Sequence, residues 1–156
     1  MCIVIKGGCK GGVICATING VMKMLLANIE TAKMLAADLH YTAAGFPFYA
    51  LHLLAEKVAD PFDALVDELK EVYYLGEKKS VPPTAGEITE AALAEYNSVM
   101  GASLLHKLST ALGVLSAHAE ELARSGEYSI GTKSILDSIS AAAYRGIGLI
   151  ERTITQ

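Results

Sequence analysis

A stripe of six ionisable side chains at helical spacing constrains what the middle of this chain can become. His52, Glu56, Asp60, Asp63, Asp67 and Glu71 follow one another at intervals of 4, 4, 3, 4 and 4 residues. At 3.6 residues per turn this keeps all six on roughly one face of a helix. Leu54, Val58, Phe62, Leu65, Leu69 and Val72 recur on another side of the same stretch and form an apolar face that other helices must cover. The five carboxylates repel one another. They are either the solvated face of an amphipathic helix or part of a binding site, because imidazole in line with clustered carboxylates suits iron and manganese.

The same periodicity organises most of the chain. Val21, Met24, Leu25, Ala32, Leu35 and Leu39 predict a first helix over 19–44, stopped by Gly45, with Pro47 suited to the first turn of the next. The second helix is expected over 47–75. Pro61 removes a backbone hydrogen bond there, so a bend is expected in an otherwise continuous path. A Lys- and Pro-rich linker over 76–84 and a short helix over 86–92 form a long connection. Leu105, Leu108, Leu112, Leu115, Ala119 and Leu122 predict a third long helix over 93–125, closed by Gly126. Ile135, Ile139, Ala142, Gly146 and Leu149 predict a last one over 129–153, with small residues for close helix contact. Four long helices with one crossover between the second and third describe an all-α, ferritin-like four-helix bundle over 18–156. The opening 1–17, two short β-prone runs around Gly7, Gly8, Gly11 and Gly12, reads as a tail or small hairpin.

Composition narrows the function classes. Of 156 residues, 52% are hydrophobic and 19% charged, more apolar surface than one small monomer hides, so self-association is expected. A net charge of −4 without any basic run argues against a folded surface that grips nucleic acid. Cys2, Cys9 and Cys15 match neither a disulfide framework nor a zinc site, and read as reduced thiols of a cytoplasmic chain. The apolar runs are too short for a signal peptide or a membrane span.

Along a continuous helix His52 and Asp67 stand about 22 Å apart, too far to share an ion within one chain. His40, in the last turn of the first helix, can approach His52 across the turn at Gly45. Asp67 and Glu71 lie one turn apart, a separation that lets two carboxylates chelate one ion. If two copies pack these helices antiparallel about a two-fold axis, His52 of each meets Asp67 of the other. The expected site is therefore shared between subunits.

The run HYTAAGFPFYALHLLAEKVADPFDALVDELKEVYYLG, His40 to Gly76, resembles the miniferritins called DNA-binding proteins from starved cells, the Dps family. The matching residues are His40, Gly45, Phe48, Leu51, His52, Glu56, Asp67 and Glu71. Tyr41 and Val72 depart from that pattern, where the family carries Trp and Arg. The resemblance implies a hollow shell of twelve four-helix subunits that oxidises Fe(II) with hydrogen peroxide, or oxygen, at dinuclear centres on two-fold interfaces and stores the ferric product. It implies His40 and His52 from one subunit and Asp67 and Glu71 from its partner as catalytic iron ligands, with Glu56 bridging or orienting. No organic cofactor is implied. DNA binding, which relatives often place on a Lys-rich extension, would here have only Lys6 and Lys10.

Other residues carry plainer readings. His106 and His118 read as surface or hydrogen-bonded histidines, and Met22, Met24, Met34 and Met100 as packing. Tyr41 reads either as a partner of the centre or as core. A structural or DNA-protecting oligomer without redox turnover is the alternative to an iron oxidase. A hydrolase or binding module on the same bundle stays open, because fold does not fix function.

Overall fold

Three serine and threonine caps mark where the chain starts its later helices. In this computed structural model, which describes residues 18–45 and 47–155, the Thr84, Ser103 and Ser129 side chains accept from the backbone N–H of Glu87, His106 and Thr132. Each satisfies a donor that a helix start leaves orphaned. At Thr84 the cap is reciprocal, with Glu87 bonding back to the Thr84 N–H at 2.8 Å, the S/T-x-x-E capping box. The tail or hairpin expected over 1–17, with its three cysteines, lies outside the described residues.

The helices are α1 (Ile18–Thr42), α2 (Phe48–Leu69), α3 (Ala85–Ser98), α4 (Leu104–Arg124) and α5 (Ile130–Ile154), with a π-helical segment, Lys70–Glu77, continuing α2. The described residues contain no strand. α1 packs on α2, α3 and α4, and α5 packs on α2 and α4. The four long helices therefore close a ring in the order α1, α2, α5, α4, and α3 lies outside it against α1. Gly45 and Gly126 take left-handed φ of +77° and +79° at the two tight turns, where a Cβ would be strained. None of the helices is long and apolar enough to cross a membrane among the described residues.

The core is the apolar periodicity of the sequence. Leu25, Leu35, Phe62, Leu69, Leu112, Leu115, Leu136 and Ile139 are all fully buried. Gly146 of α5 is also buried, and a Cβ built there would lie 2.9 Å from Leu112 Cδ1 and 3.5 Å from Val58 Cγ1. The small residue is thus what lets α5 seat against α2 and α4. α2 runs through Pro61 without interruption.

Two expectations are corrected. The third helix does not begin near residue 93: the chain breaks between α3 and α4, and the crossover helix is 14 residues long. The break is local. Ser103 caps α4, and Gly101 tucks against its first turn, where a Cβ would lie 2.7 Å from the Lys107 nitrogen. Nor is the end of the second helix α-helical, since the chain widens to i→i+5 bonding from Lys70. π segments are rare and recur at functional sites.

α3 is fixed to α1 by polar contacts. The Thr31 hydroxyl approaches the Ala27 carbonyl at 2.9 Å and the Ala92 carbonyl at 3.1 Å. The Tyr96 hydroxyl donates to the Asp38 carboxylate in the last turns of α1.

Candidate metal centre

His40 ends α1 and His52 sits in the second turn of α2, and the turn at Gly45 folds the two helices back on each other. The two imidazoles stack with ring centroids 3.6 Å apart and planes inclined by 35°. One helical turn past His52, Glu56 brings its carboxylate to the same point, with Oε1 3.6 Å from His52 Nε2. One ligand atom from each of His40, His52 and Glu56 lies within 4.8 Å of the other two.

Imidazole nitrogens and carboxylate oxygens bind divalent transition ions at about 2.0–2.2 Å, so two ligands of one ion stand at most about 4.4 Å apart. The trio's mutual spacing, within 4.8 Å, is close to that limit. The donor set, two nitrogens and a carboxylate, suits iron, zinc or manganese. Tyr41 stands edge-on to His40 at 4.9 Å, and the Phe48 ring lies 5.5 Å from that of His52. Tyr41 is 83% exposed, which excludes its reading as core. The histidines are half-buried and Glu56 is exposed, so the centre is open on one side. His52 Nδ1 is buried and meets no hydrogen-bonding group, which makes it a nitrogen that a ligand or water must satisfy.

Asp67 and Glu71 are not brought to this trio. Asp67 lies in the last turn of α2 and Glu71 in the π segment, both exposed. Asp67 borders a separate groove of about 310 Å³ that Glu30, Lys33, Asp63 and Lys70 also line. The Lys33 ammonium reaches Asp63 Oδ1 at 2.6 Å and Glu30 Oε2 at 3.4 Å. Burial pushes that ammonium's pKa down, but the Asp63 hydrogen bond and the two negative charges outweigh it and leave it raised. Lys33 thus neutralises the middle of the acidic stripe from a neighbouring helix, which spacing within one helix cannot reveal.

Past Glu71 the polar groups turn inward. Tyr73 and Tyr74 of the π segment and Tyr128 before α5 are buried, their rings edge-packed at 4.8 and 5.6 Å. Burial raises the Tyr73 phenol and pushes Tyr74 and Tyr128 up to about 12. Beside them Glu77 Oε2 accepts from the Thr132 hydroxyl at 2.7 Å and the Ser129 N–H at 3.1 Å, and Lys78 lies 3.3 Å from Oε1. Burial alone would raise the Glu77 carboxyl, yet these bonds hold it below the usual carboxylate range. A tyrosine pair in the helix is visible in the sequence, but its meeting with Tyr128 is not.

The remaining singled-out residues lie outside the trio. His118 bonds Asn28 at 3.0 Å, and burial lowers its pKa. His106 is exposed and bonds Ser103 at 2.8 Å. Met22 is core, whereas Met100 is 80% exposed and fills nothing. No protein-family model and no curated protein matches this chain.

Proposed function

We propose that this chain is an iron-oxidising, iron-storing protein of miniferritin type, a ferritin-like bundle whose centres are completed across a two-fold axis between copies. One observation carries the reading: the stacked His40–His52 pair with Glu56 at its edge. Three ligands from one chain leave coordination positions open, and α2 with its π-helical continuation carries an exposed carboxylate pair, Asp67 and Glu71, that a second copy would present.

The antiparallel pairing that sets the partner's Asp67 opposite His52 also sets the partner's Lys70 opposite Tyr49. Tyr49 is 70% exposed, and an ammonium over a tyrosine face is favourable. Exposed Tyr41 and Phe48 extend the apolar surface that such a partner covers. Four long helices linked by a crossover and a largely apolar composition agree with a cage of such dimers, twelve chains in the family it resembles.

Iron is the substrate. Two Fe(II) ions held close together each give one electron, and hydrogen peroxide takes both with two protons, its O–O bond breaking to leave two waters. No hydroxyl radical is released. The protein's part is positioning: imidazoles and carboxylates hold the two ions at one place.

Fe(II) titration under air and under peroxide, with particle mass before and after loading, tests this in wild type, His52→Ala and Asp67→Ala. Both variants are expected to lose most of the oxidation rate. Co-assembly of the two variants should then restore one of the two sites in each mixed pair, because one site keeps both its histidine and its aspartate. Equal rates in all three proteins would remove the catalytic claim. Intact assembly without saturable iron binding would favour a structural or DNA-protecting oligomer.

A further inference from the structure

The antiparallel pairing that brings His52 to the partner's Asp67 brings further residues together. Copies related by such an axis run their α2 helices in opposite directions, so each step forward along one is a step back along the other. Glu56 stands four residues on from His52, and Asp63 four back from Asp67, so the same register sets Glu56 against the partner's Asp63. Both carboxylates are exposed, and the contact forms twice, once on each side of the axis. Like charges facing each other across an interface oppose association.

Such a contact needs a cation, and α1 supplies one. Lys33 reaches across to α2, with Nζ 2.6 Å from Asp63 Oδ1 and 3.4 Å from Glu30 Oε2. Its side chain is 29% exposed and that of Asp63 74%, so the ion pair stands at the surface, open to a second molecule. Both residues line the groove of about 310 Å³ to which Asp67 and Lys70 also belong, and the register places the partner's Glu56, His52 and Tyr49 opposite Asp63, Asp67 and Lys70. Lys57 of α2 cannot serve in its place, being about 100° round the helix from Glu56. A surface ion pair adds little to the stability of a single chain, so the use of this one lies in what it faces.

We propose that Lys33 is the counter-ion of the two-fold interface: its ammonium, held by Asp63 of its own chain, cancels the charge that the partner's Glu56 would otherwise meet. This rests on the shared-centre reading, since the register comes from pairing His52 with the partner's Asp67. The partner is a second copy of this chain, and each dimer uses the device twice. Asp60 lies within one residue of the axis, where it comes near its own copy, and it forms no ion pair among the described residues. It marks the repulsion that Lys33 does not relieve.

Sedimentation of the full-length, metal-free protein over a range of concentration and salt tests this without reference to iron. Lys33→Met keeps a long side chain and drops the charge. It should weaken association by about ten-fold at low salt, and the difference from wild type should shrink as salt screens the exposed carboxylates. Adding Asp63→Asn to Lys33→Met should restore association, because the acid that needed the cation is gone, while urea unfolding of the dilute chains stays nearly unchanged throughout. Mixed chains carrying Lys33→Glu and Glu56→Lys should prefer one another to themselves in native mass spectrometry. Asp60→Asn should tighten the pair.

A Lys33→Met protein that associates as wild type does at every salt concentration overturns the counter-ion and leaves the shared centre standing. A loss that Asp63→Asn does not repair and that comes with weakened unfolding overturns it too, since Lys33 would then hold the groove together within one chain. Random pairing of the mixed chains, or a looser pair in Asp60→Asn, overturns the register. Wild type that stays a single chain at all concentrations overturns both readings.

Discussion

Near its start α2 places His52 and Glu56 where solvent and ligands reach them, while its π-helical continuation buries Tyr73 and Tyr74 with their hydroxyls unmet. Both stretches carry polar groups on an otherwise apolar scaffold, yet they relate differently to folding. Around His52 the side chains are half-exposed, so stability depends little on them and they are free to serve a ligand. Around Tyr73 the rings are core and the hydroxyls ride on them, so any chemistry there is bound up with packing. Exposure, more than residue type, separates a place where ligands bind from a place where the fold is held.

The largest expected effect tests that separation directly. Tyr73→Ala deletes a fully buried ring and should cost about 3–5 kcal/mol, whereas His52→Ala should stay within about 1 kcal/mol. Urea unfolding of the two variants measures both. Similar losses would mean that the histidine pair is part of the core and not a site standing free of it.

A smaller effect comes from Glu77, the one carboxylate at the tyrosine end that is fully used. Its bonds from Thr132 and Ser129 tie the π segment to the start of α5. Glu77→Gln should cost about 1–2 kcal/mol at neutral pH, since hydrogen bonds to a charged group are worth more than neutral ones. The folded-state pKa is depressed, so this stability is present above the carboxyl's unfolded value and is lost as pH falls through the folded one. The gap between wild type and variant should therefore close in acid, below pH ~4.5. A gap that persists unchanged would assign the loss to shape and not to charge.

The two ends were also unequally legible in the sequence. Period and punctuation gave away most of the fold: apolar steps along α1, α2, α4 and α5, and Gly45 and Gly126 at the turns. They misplaced the crossover because alanines and leucines from Ala91 to Leu105 keep a helical rhythm straight through the break. The signals that do mark it, Ser103 as cap and Gly101 against Lys107, are local and short.

At the histidine end, the approach of His40 to His52 was legible because the two residues flank a five-residue connection, so chain geometry alone brings their rings together. The remaining contacts join distant segments. Lys33 to Asp63, Tyr96 to Asp38 and Tyr128 to Tyr73 lie 30, 58 and 55 residues apart, and no repeat within one helix announces them. The π widening after Leu69 has no composition cue either, since a helical pattern fixes which face is apolar and not how many residues make the turn.

The smallest expected effect separates a dry tyrosine end from a wet one. Tyr74→Phe keeps the ring and removes a hydroxyl that meets no partner. Removing a buried, unsatisfied polar group is neutral to stabilising, so stability should rise by up to about 1 kcal/mol, which in a domain of this size is a Tm gain of about 2–4 °C. A loss of similar size would show that water or another group satisfies the hydroxyl, and the cluster would then be an ordinary hydrated core. The gain would say the reverse: the hydroxyl lies in the core unmet, and its removal relieves the desolvation that burying it costs.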